Sequence, residues 1–369
     1  MIIDNLFSQI DKGRKGKNWG LSMGLPKLEK YVDGVSQNTY TLLFSGSGVG
    51  KTSLALYAYI YRPIMDNIDH LERLHIVYIS LEMKAEILFA KLLSTYIFET
   101  YGKEISYKEM LSKTRNTLLS DEDYQLILDS REWLEKVESV LTIYDKSLNA
   151  NIFSKILKKV ADANGSFIES DNRKIYQPND PDKVILVVID HLALTQPQAG
   201  NSLKNEMDLE SKIAVNYRNI CNFSFLVIMQ ANRESANVER RKLELIEPQR
   251  QDVKDSSCME ADCDIMLAVF NPHREKLSNY RHWNIELLRH NFRSIILLKN
   301  RYGDGDIAIG CNFFGKCNLW KELPPANEIM DYSRYTTIDN YINIKDNENV
   351  EDIKEETKDT KKINYSIVL

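Results

Sequence analysis

The sequence predicts an α/β fold, a mostly parallel and twisted sheet with helices on both faces and antiparallel strands on its C-terminal side. Between about residue 26 and about residue 323, short apolar runs alternate with stretches of helical periodicity, which is typical of a layered fold with a parallel sheet. Some runs are apolar throughout, as in VILVVI at 184–189, and such strands are usually covered on both faces. A strand, a glycine-rich turn and a helix start also follow one another directly at 41–61.

The individual elements are predicted from local composition and periodicity. Short runs rich in β-branched and aromatic residues predict strands at 41–45, 75–80, 139–144, 184–190 and 223–230. Between them, apolar residues at helical spacing predict helices at 51–61, 84–101 and 151–164. Later apolar runs are separated by turns or short polar stretches, which predicts meander strands that extend the sheet at 264–270, 294–300 and 306–314.

The chain divides into three parts by composition. Residues 1–25 are polar with basic patches, and they predict an N-terminal arm or linker. Residues 26–325 predict one domain, which contains a helical insertion at about 102–138 and a projecting loop or hairpin at 272–293. Residues 326–369 predict a polar, disordered tail, which ends in the apolar heptapeptide INYSIVL, a candidate docking peptide for a replication partner.

Composition limits the class of protein. With 27% charged and 43% apolar residues, the chain resembles a soluble globular protein, and it lacks the run of ~18 apolar residues that a transmembrane helix needs. The formal net charge of -5 gives no general attraction to nucleic acid or an anionic membrane, so any DNA contact must come from a local surface. The five cysteines form no CxxC pair, and their odd number argues against a closed disulfide framework. We therefore expect reduced thiols in a cytoplasmic protein.

The segment at 41–61, TLLFSGSGVGKTSLALYAYIY, has the layout of a phosphate-binding loop (P-loop). Its glycines let consecutive backbone N–H groups point inward around a phosphate, and the following helix adds the positive end of its dipole. Lys51 can reach the β- and γ-phosphates of ATP, and the Thr52 hydroxyl can ligate Mg²⁺. The usual pattern begins with Gly where this chain has Ser45, a residue small enough for the turn to close. The predicted nucleotide-binding residues are Ser45, Gly46, Ser47, Gly48, Val49, Gly50, Lys51, Thr52 and Ser53.

Two acidic residues follow predicted strands. Asp190 ends VILVVID, so it is expected at the carboxyl end of its strand, beside the loop, where it can hold the magnesium. Glu82 follows HIVYIS and can position or deprotonate the water that attacks the γ-phosphate. From the residues alone, a surface Glu favoured by a helix dipole explains Glu82 equally well.

Together these segments resemble the RecA-type motor domain of DnaB-like replicative helicases, a family of hexameric ATPases. The resemblance covers roughly residues 20–322, and the family's motifs occur in one order. They are SGSGVGKTS, YISLEMKAEILFAKLL, VVIDHLAL, VIMQANRE and LLKNRYGDGD. An acidic segment that resembles the family's, SSCMEADCDIMLAVF, lies before the last motif.

The resemblance implies a role for each matching residue. Glu82 would be the catalytic glutamate, and Asp190 would hold Mg²⁺. Gln230 would sense the γ-phosphate and couple it to the loop that follows. Lys299 and Arg301 would reach into the site of the next subunit, where a cation supplied in trans stabilises the transition state only in the assembled ring.

DNA binding is implied by the resemblance and not by charge. The segment at 231–255 contains six basic and six acidic residues, so it attracts phosphate only if folding directs its basic side toward the DNA. The polar, glycine-containing segment at 195–206 is expected to form an earlier pore loop. The candidate DNA contacts are Arg233, Arg240, Arg241, Lys242 and Arg250.

The expected function is an ATP-driven ring translocase or helicase on single-stranded DNA. Two alternatives remain: a RecA/RadA-like or KaiC-like recombination or regulatory ATPase that assembles without unwinding DNA, and a scaffold that only binds nucleotide. The intact set of Lys51, Thr52, Glu82 and Asp190 argues against the scaffold. About forty residues precede the P-loop, which is too few for the family's N-terminal helical domain, and this favours a phage, plasmid or mobile-element protein.

Overall fold

The protein folds around one nine-stranded sheet, as seen in a computed structural model. The structure describes residues 2–16, 18–113, 118–170, 173–232, 240, 246–253 and 257–340. The strands of the sheet lie in the order β13-β12-β11-β8-β1-β7-β6-β2-β3. Their bounds, with those of two small hairpins, are β1 Tyr40–Ser45, β2 Leu74–Ser80, β3 Leu141–Tyr144, β4 Gly165–Ser170, β5 Arg173–Pro178, β6 Val184–Asp190, β7 Ser224–Gln230, β8 Ile265–Phe270, β9 Asn279–Tyr280, β10 Trp283–Asn284, β11 Phe292–Asn300, β12 Ile307–Phe314 and β13 Leu319–Glu322.

Helices cover both faces of this sheet. Between the short α-helices Lys51–Leu54 (α3) and Arg62–Met65 (α4) the chain forms a π-helical stretch at Ala55–Tyr61, so a continuous helical segment follows the P-loop. The α-helices are α1 Ile2–Arg14, α2 Pro26–Val32, α3 Lys51–Leu54, α4 Arg62–Met65, α5 Ala85–Tyr101, α6 Tyr107–Met110, α7 Asp121–Asp129, α8 Arg131–Val140, α9 Ala150–Asn164, α10 Leu203–Cys221, α11 Ser257–Asp262 and α12 Ile285–Leu288.

The central strands separate two apolar cores, because their side chains alternate between the faces. On β1, Leu43 joins the core under α3–α5 and α8, whereas Leu42 and Phe44 join the core under α9 and α10. All seven residues of β6 are buried, as the apolar run at 184–189 predicts. Six strands, from β8 to β3, run parallel, so their carboxyl ends share one edge of the sheet.

The C-terminal strands are antiparallel, as predicted, with one correction. The run at 264–270 gives β8, which pairs in parallel with β1 and does not begin the meander. Antiparallel pairing starts at β11 and continues through β12 and β13. β8 instead follows β7 through residues 231–264, which include α11, and a crossover of this length allows β8 to run parallel beside β1.

Several local predictions change on folding. The segment at 272–293 contains the predicted hairpin, β9–β10, but it does not project, because Trp283 and Ile285 are buried in the core. A second hairpin, β4–β5, was not predicted. Helix α1 lies in the predicted arm, and residues 326–340 of the predicted tail continue to pack, with Ile329 and Ile338 buried. The rest of the tail lies outside the described residues. Among the described helices, none is both long and apolar enough to cross a bilayer.

Candidate nucleotide-binding site

The P-loop connects β1 to α3 at the carboxyl edge of the parallel strands. Gly48 and Gly50 have φ angles of 70° and 123°, a backbone region that favours glycine. At Gly50 a Cβ atom would lie 3.0 Å from Cζ2 of Trp320, so the buried indole leaves no room for a side chain. The glycines thus serve both the turn and its close approach to β13.

Replacement of Gly50 by Ala is expected to weaken ATP binding and to lower the free energy of unfolding by about 1–3 kcal/mol. The cause is the φ angle of 123° together with the 3.0 Å approach to Trp320. Gly315, which has an ordinary contact distance of 3.5 Å to Phe313 and lies outside the P-loop, provides the control through Gly315→Ala. Fluorescent-nucleotide titration and thermal denaturation measure both effects, and equal behaviour of the two variants would contradict the prediction.

Ser45 shows why the P-loop closes without its usual first glycine. This residue is the last of β1 and is completely buried. Its hydroxyl donates to Gly46 O at 2.8 Å, and its carbonyl accepts from Ala231 N at 2.9 Å. Because Ser45 is not among the residues with positive φ, its backbone accommodates a side chain.

Lys51 lies inside the loop with its ammonium group directed at backbone carbonyls. Nζ donates to Ser45 O at 3.2 Å and to Gly46 O at 3.1 Å. Burial lowers the pKa of Lys51, whereas the charges of Asp190 and Glu82 act in the opposite direction. The two acids therefore favour the charged form of the lysine.

Asp190 is the last residue of β6, the strand beside β7, and is almost completely buried. Its Oδ2 accepts from the Tyr78 hydroxyl at 2.8 Å, and Thr52 also hydrogen-bonds to the carboxyl group. Burial raises the pKa of Asp190; the bonds from Tyr78 and Thr52 oppose this rise, and the nearby charge of Glu82 adds to it. A bound cation would favour the charged form.

The residues present fit Mg²⁺. Oδ1 of Asp190 is buried without a hydrogen-bond partner in the described structure, and the Thr52 hydroxyl lies beside the same carboxyl group. Both are hard oxygen ligands. Within the described ranges, no group of three His, Cys, Asp or Glu side chains could hold a metal, and Mg²⁺ commonly binds one or two protein groups together with substrate phosphates.

Glu82 and Gln230 line the same cavity as the P-loop. Ser80, the end of β2, pairs with Asp190, and Gln230, the end of β7, pairs with Ser45, so these strand ends meet at one edge. The cavity has a volume of about 270 Å³, and Lys51 and Thr52 also line it. Glu82 itself is exposed to this space. The structure thus brings together the predicted P-loop, the carboxylate after β2 and the amide at the end of β7.

Lys91 and Arg293 are cations at this site that were not predicted. Lys91 of α5 lines the cavity, and burial lowers its pKa while Asp190 and Glu82 oppose the shift. In the sequence, the only indication that Lys91 belongs to the site is that it is a single basic residue in the apolar run ILFAKLL. Arg293, a buried residue of β11, donates from Nε to Val49 O at 2.7 Å, and burial lowers its pKa to about 10. Because 244 positions separate the two residues, no local pattern indicates this contact.

Lys299 and Arg301 do not join this cavity. In the pairing of β11 with β8, Ser294 lies opposite Phe270 and Asn300 lies opposite Ile265. Since β8 runs parallel to β1, Phe270 marks the P-loop edge and Ile265 marks the far edge. Both cations are therefore at the end of the sheet away from the P-loop.

Two candidate DNA contacts are described, and both have partners within the chain. Nη1 of Arg240 bonds to Asp252 Oδ1 at 2.5 Å, and Nη2 donates to Glu247 O at 3.0 Å. Nε of Arg250 donates to Leu298 O at 2.6 Å. Arg233, Arg241 and Lys242 lie outside the described residues, as does most of their loop.

Buried carboxyl groups hold the segment at 195–206. Glu206 accepts from Ala150 N at 2.8 Å and from the Asn201 side chain at 2.9 Å. The Thr195 hydroxyl lies 2.6 Å from Glu210 Oε1. Burial raises the pKa of Glu210 to about 8, so this carboxyl group is largely protonated at neutral pH. The segment predicted as a pore loop is thus fixed at its base to α10.

The raised pKa of Glu210 predicts that stability depends on pH. A folded-state pKa of about 8, above the ordinary value of 4.5, means that the folded protein holds this proton more tightly than the unfolded chain. The stabilisation is complete below the unfolded pKa and is lost as the pH rises through the folded pKa. Relative to a Glu210→Gln variant, the wild type should lose stability between about pH 5 and about pH 8, measured by urea unfolding. Parallel pH profiles would contradict this.

The sheet, the P-loop after β1 and the acids that follow β2 and end β6 define a RecA-like P-loop ATPase fold. The chain belongs to the family of the DnaB-like helicase C-terminal domain, whose model matches residues 20–322. This match confirms the resemblance found in the motifs.

Two solved structures agree on the fold. An ATPase domain of known structure aligns with a TM-score of 0.67 and 17% identity over 88% of this chain and 99% of its own. A DnaB-like replicative helicase, solved in a study of its interactions with primase, aligns with a TM-score of 0.66 and 18% identity over 87% of this chain and 68% of its own. A KaiC-like protein from Pyrococcus horikoshii aligns with a lower TM-score of 0.47, at 14% identity over 82% and 98% of the two chains. No curated protein matches the sequence.

Proposed function

We propose that the chain is the motor of a ring-shaped, hexameric assembly that encircles single-stranded DNA and moves along it by hydrolysing ATP. The observation that carries this proposal is the common cavity of Lys51, Thr52, Glu82 and Gln230. Membership of the helicase family supports the proposal that ATP hydrolysis drives movement on DNA. A scaffold that only binds nucleotide has no use for a carboxylate in the cavity beside the P-loop.

Each residue of the cavity has a chemical task in this proposal. The P-loop N–H groups and Lys51 bind the phosphates, while Thr52 and Asp190 would hold Mg²⁺, which neutralises phosphate charge when bound. Glu82 orients the attacking water and accepts its proton. Gln230 contacts the γ-phosphate, and its backbone leads directly into Ala231 and the proposed DNA loop.

Lys299 and Arg301 act on the next subunit in this proposal. Their position at the far edge of the sheet keeps them from their own P-loop but allows them to face a neighbour's. A guanidinium supplied in trans stabilises the charge of the transition state only after assembly. Hydrolysis therefore depends on the ring, and each subunit boundary contains one complete site.

DNA is contacted by the 231–255 loop and by the 195–206 segment in this proposal. Arg233, Arg240, Arg241, Lys242 and Arg250 provide the cations for the phosphate backbone. Arg240 must exchange Asp252 for a phosphate to take part. The C-terminal tail binds a replication partner in this proposal. The five free thiols suit a cytoplasmic protein. If the gene is phage-borne, this is the cytoplasm of a bacterial host.

Strand displacement from a forked duplex tests this function against an ATPase that assembles without unwinding. The motor proposal predicts release of the labelled strand with ATP and no release with a non-hydrolysable analogue. The Glu82→Gln protein, which keeps the P-loop, is the matched control. ATP hydrolysis without displacement would favour the recombination or regulatory ATPase.

A further inference from the structure

Asp264 occupies the centre of a charge cluster beneath Arg301. Its side chain is completely buried, and the residue lies directly before β8. Oδ1 forms an ion pair with Nη1 of Arg301 at 2.8 Å, and Oδ2 accepts from Nη1 of the buried Arg218 at 2.7 Å. Oδ2 also accepts from Tyr40 N at 2.9 Å, at the beginning of β1.

The backbone places this carboxylate directly beside the arginine. Arg301 N donates to Asp264 O at 2.9 Å, and Asp264 N donates to Tyr40 O at 2.8 Å. The first residue of the P-loop strand and the residue that follows β11 are therefore joined through one acid. Arg218 lies on α10, the helix that begins after the 195–202 segment, so the same acid also contacts the element behind the predicted pore loop.

The Arg301 side chain has partners within the chain and is also partly exposed to solvent. Its side chain is 44% exposed, whereas that of Asp264 is 0% exposed. Nη2 donates to Ala261 O at 3.3 Å, whereas Nη1 contacts Oδ1 of Asp264 as an ion pair without an aligned hydrogen bond, so two different nitrogens of the planar guanidinium have partners at the end of α11 and on the carboxylate. A guanidinium has five N–H groups, and these two contacts leave the others for a phosphate.

We infer that Asp264 is a positioning residue that aims Arg301 at the ATP site of the neighbouring subunit. The inference rests on the proposed function, because it requires that Arg301 act in trans. Asp264 touches neither its own nucleotide cavity nor the neighbour's phosphates; it acts by fixing the orientation of the guanidinium before the subunits meet. Pre-organisation of this kind removes the cost of ordering a long side chain at the interface.

Mixing subunits of different variants distinguishes a positioning role of Asp264 from a contribution to stability alone. Glu82→Gln supplies Arg301 but has a defective site, and Arg301→Ala supplies a normal site but lacks the cation. An equal mixture should regain ATP hydrolysis above the sum of the two proteins, since about a quarter of randomly assembled boundaries are complete. Asp264→Asn, and Asp264→Glu with its longer side chain, are then mixed with each partner.

The inference predicts that the Asp264 variants behave as donor-defective proteins. Alone, their kcat should fall by ~10- to 100-fold with the KM for ATP unchanged. Mixed with Glu82→Gln they should regain activity, and mixed with Arg301→Ala they should not. Asp262→Asn, which removes a neighbouring acid bonded to Ser211, should keep wild-type kcat.

Three outcomes separate the possibilities. If Glu82→Gln and Arg301→Ala fail to complement each other, the trans arrangement of the proposed function is wrong. If they complement but the Asp264 variants regain activity with Arg301→Ala, the inference alone is wrong. If both Asp264 variants fail to fold while Arg301→Ala folds, the acid serves stability alone and the inference is again overturned.

Discussion

Replacement of Glu82 by Gln is expected to lower kcat for ATP hydrolysis by about 10²–10⁴-fold while ATP binding stays intact. The amide has nearly the size of the carboxylate but cannot accept the proton of the attacking water. Glu82 is exposed to the cavity that also contacts Lys51 and Thr52, so its loss leaves the phosphate cradle in place. Steady-state hydrolysis and nucleotide titration measure the two effects separately.

Glu86→Gln is the matched control for this prediction. Glu86 is an exposed acid in the first turn of α5, four positions beyond Glu82, and it does not line the nucleotide cavity. Its replacement should leave kcat unchanged. Comparable losses in the two variants would assign the effect to general charge near the helix and would remove Glu82 from its catalytic role.

Replacement of Arg301 by Ala is expected to lower kcat by about 10³-fold or more, again with ATP binding retained. The guanidinium lies at the edge of the sheet opposite its own P-loop, so it cannot help to bind nucleotide in the same subunit. The loss should appear only in conditions in which the subunits assemble. Hydrolysis measured across a range of protein concentrations, together with sedimentation, tests this dependence.

Arg73→Ala is the control for Arg301→Ala. Arg73 is an exposed arginine directly before β2, and the beginning of β2 lies at the same edge of the sheet. The resemblance gives Arg73 no role, and its loss should not change kcat. An equal effect of the two replacements would mean that the edge needs positive charge in general and not a specific guanidinium.

The features that could be predicted from the sequence are those that depend on residues close together in the chain. The strands at 184–190 and 223–230 are buried on both faces, and an apolar run without alternation indicates this directly. The P-loop could be predicted because its conformation depends on glycines and a helix start within a few residues. Asp190, Glu82 and Gln230 follow because parallel strands end at one edge.

Contacts between distant residues could not be predicted in the same way. Arg293 supports Val49, Trp320 fills the space below Gly50, and Asp264 pairs with both Arg218 and Arg301, each across a large separation in the chain. The position of β8 beside β1 also depends on how much apolar surface each strand buries there. That burial depends on the packing of the whole core and not on the local sequence. The apolar runs at 264–270 and 294–300 are alike in composition but differ in direction.

ATP hydrolysis with and without single-stranded DNA is the most direct test of the motor. If the protein moves on DNA, occupation of the central channel should change the geometry at the subunit boundaries and accelerate turnover severalfold. Glu82→Gln should remain inactive in both conditions. A rate that single-stranded DNA leaves unchanged, at concentrations where the ring is assembled and DNA is bound, would contradict the account.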